Sequence, residues 1–204
     1  MRFTLSILLL LSLQGFFAHS KVLIVTMAQV KSHVITSREV EIHSMLDKAL
    51  GNRFKNFKAA KPVEQIIREW LLYYEASTFY NTPIDKTKIN KSILSANERL
   101  KKSVKWKDLS ISSGELREKL KRRLEADRLY LFKKKASVLP VSSSDVETEY
   151  IQNRIRYGNL SFEEVKEKIR KNKIDKNLHA RLEQWFLVLE KKYKVQRFSK
   201  FNKQ

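Results

Sequence analysis

Apolar residues recur every three or four positions through most of this chain, the spacing that places them on one face of an α-helix. Thr36 and Glu39 form a capping-box pattern, which predicts a helix over residues 37 to 50 that ends at Gly51. Pro62 then begins a second helical pattern. Its apolar face carries Val63, Ile66, Ile67, Trp70, Leu71 and Tyr74.

The middle of the chain continues with two further helical patterns. Residues 89 to 100 predict a third helix, and Ser112 with Glu115 forms a second capping box that opens a fourth. Trp106 and Leu109 fall between these two helices, where we expect a connecting turn.

The last third of the chain predicts a short helix and a long one. The short helix starts at residues 142 to 145 and carries Val146 and Tyr150. Ser161 with Glu164 forms a third capping box, and the apolar pattern that follows it extends to Tyr193. Asn172 marks a candidate kink in this long helix.

Both ends of the chain predict β-strands. Residues 22 to 29 form a nearly continuous β-branched run, Lys31 to His33 predict a turn, and Val34 and Ile35 a second short strand. Residues 193 to 198 alternate as a strand does. We therefore expect a mainly α fold with a small β-sheet in which the N- and C-terminal strands pair. That pairing could occur within one chain or by strand exchange in a dimer.

The first twenty residues predict a secretory signal peptide. A basic start is followed by the apolar block Leu5 to Leu13, and Ala18 to Ser20 place small residues before an expected cleavage after Ser20. An uncleaved anchor is the alternative, but the apolar run is short for a spanning helix. The predicted organisation is a signal peptide over 1–20, a hairpin and helical region over 21–140, and a C-terminal helix and strand over 141–204 that complete the same core.

The chain is strongly basic, with 42 Lys and Arg against 22 Asp and Glu and a formal net charge of +20, or +19 once Arg2 leaves with the signal. Such a charge is typical of nucleic-acid binding. Export argues against that partner and favours acidic polypeptides, anionic lipid headgroups or acidic envelope polymers. The basic excess is greatest over residues 91 to 136, where fifteen cationic residues face six acidic ones.

Residues for catalysis or metal binding form no recognisable pattern. There is no cysteine, and the four glycines form no nucleotide-binding motif, so we expect no cofactor. His33, His43 and His179 are too far apart in sequence to suggest a metal site, and we expect each on the surface or at a turn. Glu39 and Glu41 point to different sides of a helix, so they are not an acid/base pair. The expectation is a protein that is not an enzyme, with an unrecognised enzyme class as an alternative.

An aromatic cluster near the end of the second helix is the more informative feature. Trp70 and Tyr74 fall on the apolar face and are expected in the core, whereas Tyr73, Phe79 and Tyr80 fall off it and are candidates for an exposed contact surface.

Three segments, taken in order behind the export signal, resemble a known family. Residues 28–40 (AQVKSHVITSREV) are similar to the opening hairpin and first helix of the SurA-like periplasmic chaperones. Residues 63–71 (VEQIIREWL) resemble that family's second helix, and residues 162–169 (FEEVKEKI), with Trp185, Leu189 and Lys194-Val195, its closing helix and strand. Many members carry parvulin-type prolyl isomerase domains, but only residues 138 to 161 separate the corresponding parts here. The resemblance therefore implies a chaperone core without an isomerase.

The function that this resemblance implies is ATP-independent holding of unfolded exported or outer-membrane proteins in the periplasm. The candidate client-binding residues are Trp70, Tyr73, Tyr74, Phe79, Tyr80, Trp106 and Phe132. The positive charge leaves an alternative open, a basic protein that binds the envelope or a membrane surface.

Overall fold

The computed structural model describes residues 24–51, 59 and 61–198, so the predicted signal peptide lies outside the described residues. The fold is mainly α-helical with one small antiparallel sheet, as the sequence predicts. In chain order the elements are β1 (Thr26–Val30), β2 (His33–Thr36), α1 (Ser37–Leu50), α2 (Pro62–Phe79), α3 (Lys86–Leu100), α4 (Val104–Asp108), α5 (Ser113–Ala136), α6 (Ser143–Gln152), α7 (Arg154–Tyr157), α8 (Phe162–Lys192) and β3 (Gln196–Arg197).

The sheet joins the two ends of the described chain in the order β2-β1-β3. Val30 opposes His33 across the hairpin, and Gln29 opposes Gln196 on the other side of β1. The expected pairing of N- and C-terminal strands is thus confirmed, and it occurs within one chain. β3 is shorter than the predicted strand over 193–198, because Tyr193 still donates its N–H to the Leu189 carbonyl and so closes α8.

Side-chain caps explain where the helices begin. Thr36 accepts a hydrogen bond from the Glu39 amide at the start of α1, and Ser112 accepts one from the Glu115 amide before α5. Complete capping boxes, in which the acidic side chain also returns to the cap residue, open α6 and α8. These four starts agree with the predicted positions.

Three apolar clusters hold the elements together. The first joins the sheet, α2, α5 and the C-terminal half of α8, with Ile66, Leu71 and Phe186 at its centre. The second joins α1, α3, α4 and the first half of α5. The third is small and holds α6 and α7 against the N-terminal half of α8. α8 therefore connects the main body to a small helical extension.

The prediction of a connecting turn at Trp106 is wrong. Trp106 lies in the short helix α4, because Ser103 caps it by accepting from the Trp106 amide. Asn172 lies inside α8, which is a single helix of 31 residues. Within the described part of the chain, no helix is both long enough and apolar enough to cross a membrane.

Candidate functional site

A cleft of about 260 Å³ opens between the C-terminal end of α2, the segment that follows it and one face of α5. Two of the predicted client-binding residues, Tyr73 and Tyr80, line it. The other lining residues are Ala76, Ser77, Asn81, Thr82, Pro83, Lys121, Glu125 and Arg128. The cleft thus combines aromatic and small side chains from α2 with charged side chains from α5.

The α5 side of the cleft is a regular stripe along the helix. Lys121, Glu125 and Arg128 follow one another at i, i+4 and i+7, so they share one face. Phe132 is one turn further along the same face, and its side chain is 55% exposed. An apolar side chain that is open to solvent therefore continues the charged wall of the cleft.

Arg128 fixes the segment between α2 and α3. Its guanidinium lies 3.8 Å from the ring centroid of Tyr80, and its Nη1 donates to the Thr82 carbonyl at 3.0 Å. A cation over an aromatic face is attractive because the ring carries negative charge density there. This pair holds Tyr80 at the cleft wall and ties that segment to α5.

Glu125 is the acidic group of the cleft. Partial burial raises the pKa of its carboxyl above the usual value, while Lys121 and Arg128 on either side oppose this rise. The cleft therefore offers two cations and one carboxyl group beside its aromatic walls.

Three aromatic rings of α2 pack together behind the cleft. The centroid of Trp70 lies 5.6 Å from that of Tyr73 and 5.4 Å from that of Tyr74, and Tyr74 stacks on Tyr193 at 5.6 Å. Trp70 and Tyr74 are partly buried against the main core, whereas Tyr73 reaches the cleft. Tyr73 is therefore positioned by rings that are themselves held in the fold.

A buried network of charged side chains lies beneath Trp70. The carboxylate of Glu69 is fully buried, and it accepts hydrogen bonds from Arg122 Nε at 2.7 Å and pairs with His43 Nε2 at 2.9 Å. Arg123 Nε lies 3.3 Å from the same carboxylate. Burial of an ion is costly unless opposite charges surround it, and here three basic groups from α1 and α5 do so.

The same network also contacts Trp70, through its indole N–H and through its ring. The indole N–H of Trp70 donates to Glu39 at 3.2 Å, and Arg122 Nη2 donates to the same carboxylate oxygen at 3.1 Å. The Arg122 guanidinium lies 4.1 Å from the Trp70 ring, and the His33 ring stacks on Trp70 at 3.7 Å. The network thus fixes the indole against which Tyr73 packs.

The network lowers the pKa values of its two carboxyl groups, Glu39 and Glu69. Burial by itself raises the pKa of Glu39, but the hydrogen bond with His33 and the charges of Lys119 and Arg122 lower it to about 2. Burial would likewise raise the pKa of Glu69, and Arg122 and His43 outweigh it and hold it well below the usual range. Both carboxylates therefore remain charged at neutral pH.

His43 shows the converse effect. Burial lowers the pKa of its imidazole, but hydrogen bonds with Asp47 and Glu69 outweigh burial and raise it above 6.5. The expectation of a surface position is wrong for His43, whose side chain is only 4% exposed, because the fold gives it two carboxylate partners. His33 is half-buried in the hairpin, and His179 is exposed.

The remaining predicted site residues do not converge on the cleft. Phe79 is 59% exposed at the end of α2 and is not part of the lining. Trp106 is partly buried against the second apolar cluster, and Phe132 extends the α5 face. Sequence analysis missed the α5 residues of the cleft, although the i, i+4, i+7 spacing of Lys121, Glu125 and Arg128 was visible.

No group of three or more His, Asp or Glu side chains in the described ranges is arranged to hold a metal ion. Comparisons of the chain with protein-family models, curated proteins and solved structures find no match.

Proposed function

We propose that this protein is an exported holdase that binds unfolded polypeptides in the cleft between α2 and α5, without ATP and without isomerase activity. The observation that carries the proposal is the cleft, where two tyrosines and small apolar side chains face a charged helix stripe. The resemblance to SurA-like chaperones and the predicted signal peptide support a periplasmic location and exported or outer-membrane proteins as clients.

The size of the cleft suits an extended chain. Ligand pockets for compact small molecules occupy roughly 300–1,000 Å³, and this cleft lies just below that range. It has room for one or two side chains of a polypeptide that lies across it. Tyr73 and Tyr80 offer broad apolar faces for aromatic or β-branched client residues at little cost in rotamer entropy.

The charged side chains in the cleft keep the complex soluble and attract oppositely charged stretches of the client. Lys121 and Arg128 attract acidic stretches of a client, whereas Glu125 can pair with its basic residues. An unfolded client loses chain entropy when it binds, so the affinity should be modest and release needs no energy source.

The test uses two substitutions on neighbouring residues of α2. Ser77 lines the cleft, whereas Thr78 does not, yet both are exposed and both donate a side-chain hydrogen bond to a carbonyl three residues earlier. Ser77→Trp places an indole in the cleft, and Thr78→Trp adds the same group outside it. The protein is purified after export, and an unfolded outer-membrane protein is diluted from urea while light scattering is followed.

We expect the parent and Thr78→Trp to suppress aggregation at a few-fold molar excess, and Ser77→Trp to need at least several-fold more protein. Equal suppression of aggregation by both variants would contradict client binding in the cleft. Absence of suppression by the parent protein would contradict the holdase function.

A second candidate function, binding to an anionic envelope surface, is favoured by a separate observation. The segment from α3 through α4 is strongly basic, and none of its cationic residues lines the cleft.

A further inference from the structure

The segment from α3 through α4 carries a dense and one-sided positive charge. Between residues 86 and 107 there are eight Lys and Arg residues and a single acidic residue, Glu98, and all eight cationic residues are exposed. They are Lys86, Lys88, Lys91, Arg99, Lys101, Lys102, Lys105 and Lys107.

Few of these cations are neutralised by the fold. Lys105 pairs with Glu41, and Arg99 donates to the Ala49 carbonyl. Within the described residues the other six have no carboxylate at ion-pair distance. By contrast, the charged residues of α5 that face α1 and α2 are paired, as in the contact of Arg38 with Glu115. The α3–α4 charge therefore remains available to an external partner.

Exposed apolar side chains lie among these cations. Leu94 is 66% exposed, and it sits one turn after Lys91 and two turns before Lys101 on the solvent side of α3. Val104, at the start of α4, is 71% exposed. The opposite side of α3 is buried against α1 and α5 through Ile89, Ser92, Ala96 and Leu100.

We propose that the solvent face of α3 and α4 docks on an anionic lipid surface, with Leu94 and Val104 entering the headgroup region and the surrounding lysines facing lipid phosphates. Because the apolar face of α3 is buried against α1 and α5, the membrane contact rests on the exposed Leu94 and Val104 together with the attraction of the lysines to anionic lipid. The inference is independent of the cleft and of the holdase function, and it rests on the second candidate function, for which it names the binding face.

The geometry favours a lipid surface over an acidic polypeptide. α3 is about 22 Å long, and its solvent side carries the exposed Leu94 between Lys91 and Lys101. A bilayer can meet such a face along its whole length, and its phosphates attract each lysine within a Debye length. An extended acidic peptide would gain little from Leu94, which is 66% exposed and is not part of the cleft lining.

The test exploits the absence of cysteine, because a single introduced thiol can carry a polarity-sensitive dye without background labelling. Leu94→Cys reports on the proposed face, and Leu187→Cys, on α8 and 50% exposed, is the matched control. Both are made in the full chain, so any contribution of the apolar N-terminal segment is the same. The labelled proteins are mixed with vesicles of phosphatidylcholine alone or with one-quarter phosphatidylglycerol.

We expect a blue shift and rise in emission at position 94 on phosphatidylglycerol vesicles, reversed by about 0.5 M salt and absent on phosphatidylcholine. Position 187 should not respond. The triple change K91Q/K101Q/K102Q should weaken binding at least tenfold, whereas K168Q/K171Q/K176Q, which removes the same charge from exposed positions of α8, should change it less than threefold.

Three results would overturn the proposal. The first is the absence of any response at position 94 on anionic vesicles. The second is an equal response at position 187, which would mean that the protein adsorbs through another surface. The third is a response at position 94 to polyglutamate but not to vesicles, which would assign the face to an acidic polypeptide.

Discussion

Glu69→Gln should destabilise the protein more than any other single loss of charge on α2. The carboxylate is fully buried and shared by Arg122 at 2.7 Å, His43 at 2.9 Å and Arg123 at 3.3 Å. Removing one partner of a buried ion pair costs about 3–5 kcal/mol, because the remaining charges stay desolvated. Arg122 keeps Glu39 and Arg123 keeps Asp47, so we expect about 3 kcal/mol.

The assay is urea unfolding at pH 7, followed by far-ultraviolet circular dichroism and by tryptophan fluorescence. With an m-value of about 2 kcal/mol/M, the midpoint should fall by roughly 1.5 M. Glu64→Gln is the matched control on the same helix. Its partner is Arg197, and both side chains are about a third or more exposed, so the control should lose no more than about 1 kcal/mol.

Equal midpoint shifts for Glu69→Gln and Glu64→Gln would refute the reasoning, because burial would then confer no special cost. A second readout is the His43 imidazole, followed by proton NMR. Because its bond with Glu69 helps to raise its pKa, the pKa should fall in Glu69→Gln and remain unchanged in Glu64→Gln.

Three further predictions concern pH and backbone conformation. The pKa of Glu39 is lowered from 4.5 to about 2, so its ionisation contributes about 3 kcal/mol to the free energy of unfolding. This contribution is present above pH 4.5 and is lost as pH falls towards 2. Glu39→Gln should therefore flatten that part of a plot of unfolding free energy, measured in urea, against pH. The pKa of His43 is raised above 6.5, so protonation of its imidazole stabilises the fold fully below pH 6.5. That stabilisation is lost as pH rises through the pKa of the folded state. His43→Gln should remove this loss from Tm values measured between pH 6 and 9. Gly158→Ala should cost about 1–2 kcal/mol in a thermal melt, because Gly158 has a φ of 58°, whereas Gly114→Ala within α5 should be neutral or stabilising.

Local signals made most of the helices predictable. Thr36, Ser112, Ser142 and Ser161 cap helices where the sequence predicts them, because a cap needs only residues within one turn. The pairing of the terminal strands also followed from their apolar and alternating patterns.

The buried network could not be predicted, because it depends on which helices meet. Glu69, Arg122 and His43 lie on three different helices, and each alone resembles an ordinary surface charge. Glu39 illustrates the same limit: its amide completes a local cap, but its carboxylate reaches Arg122, 83 residues away in sequence. Two of the ten residues that line the cleft, Tyr73 and Tyr80, were accessible to sequence reasoning, because the local helical pattern places them off the apolar face.

The most direct test of the central claim places a polarity-sensitive dye at Ser77→Cys, within the cleft, and compares it with Leu187→Cys on α8. Titration with an unfolded outer-membrane protein should give a saturable blue shift at position 77 and none at position 187, and prefolded client should give neither. A client that shifts both positions equally, or leaves position 77 unchanged while aggregation is suppressed, would contradict binding in the α2–α5 cleft.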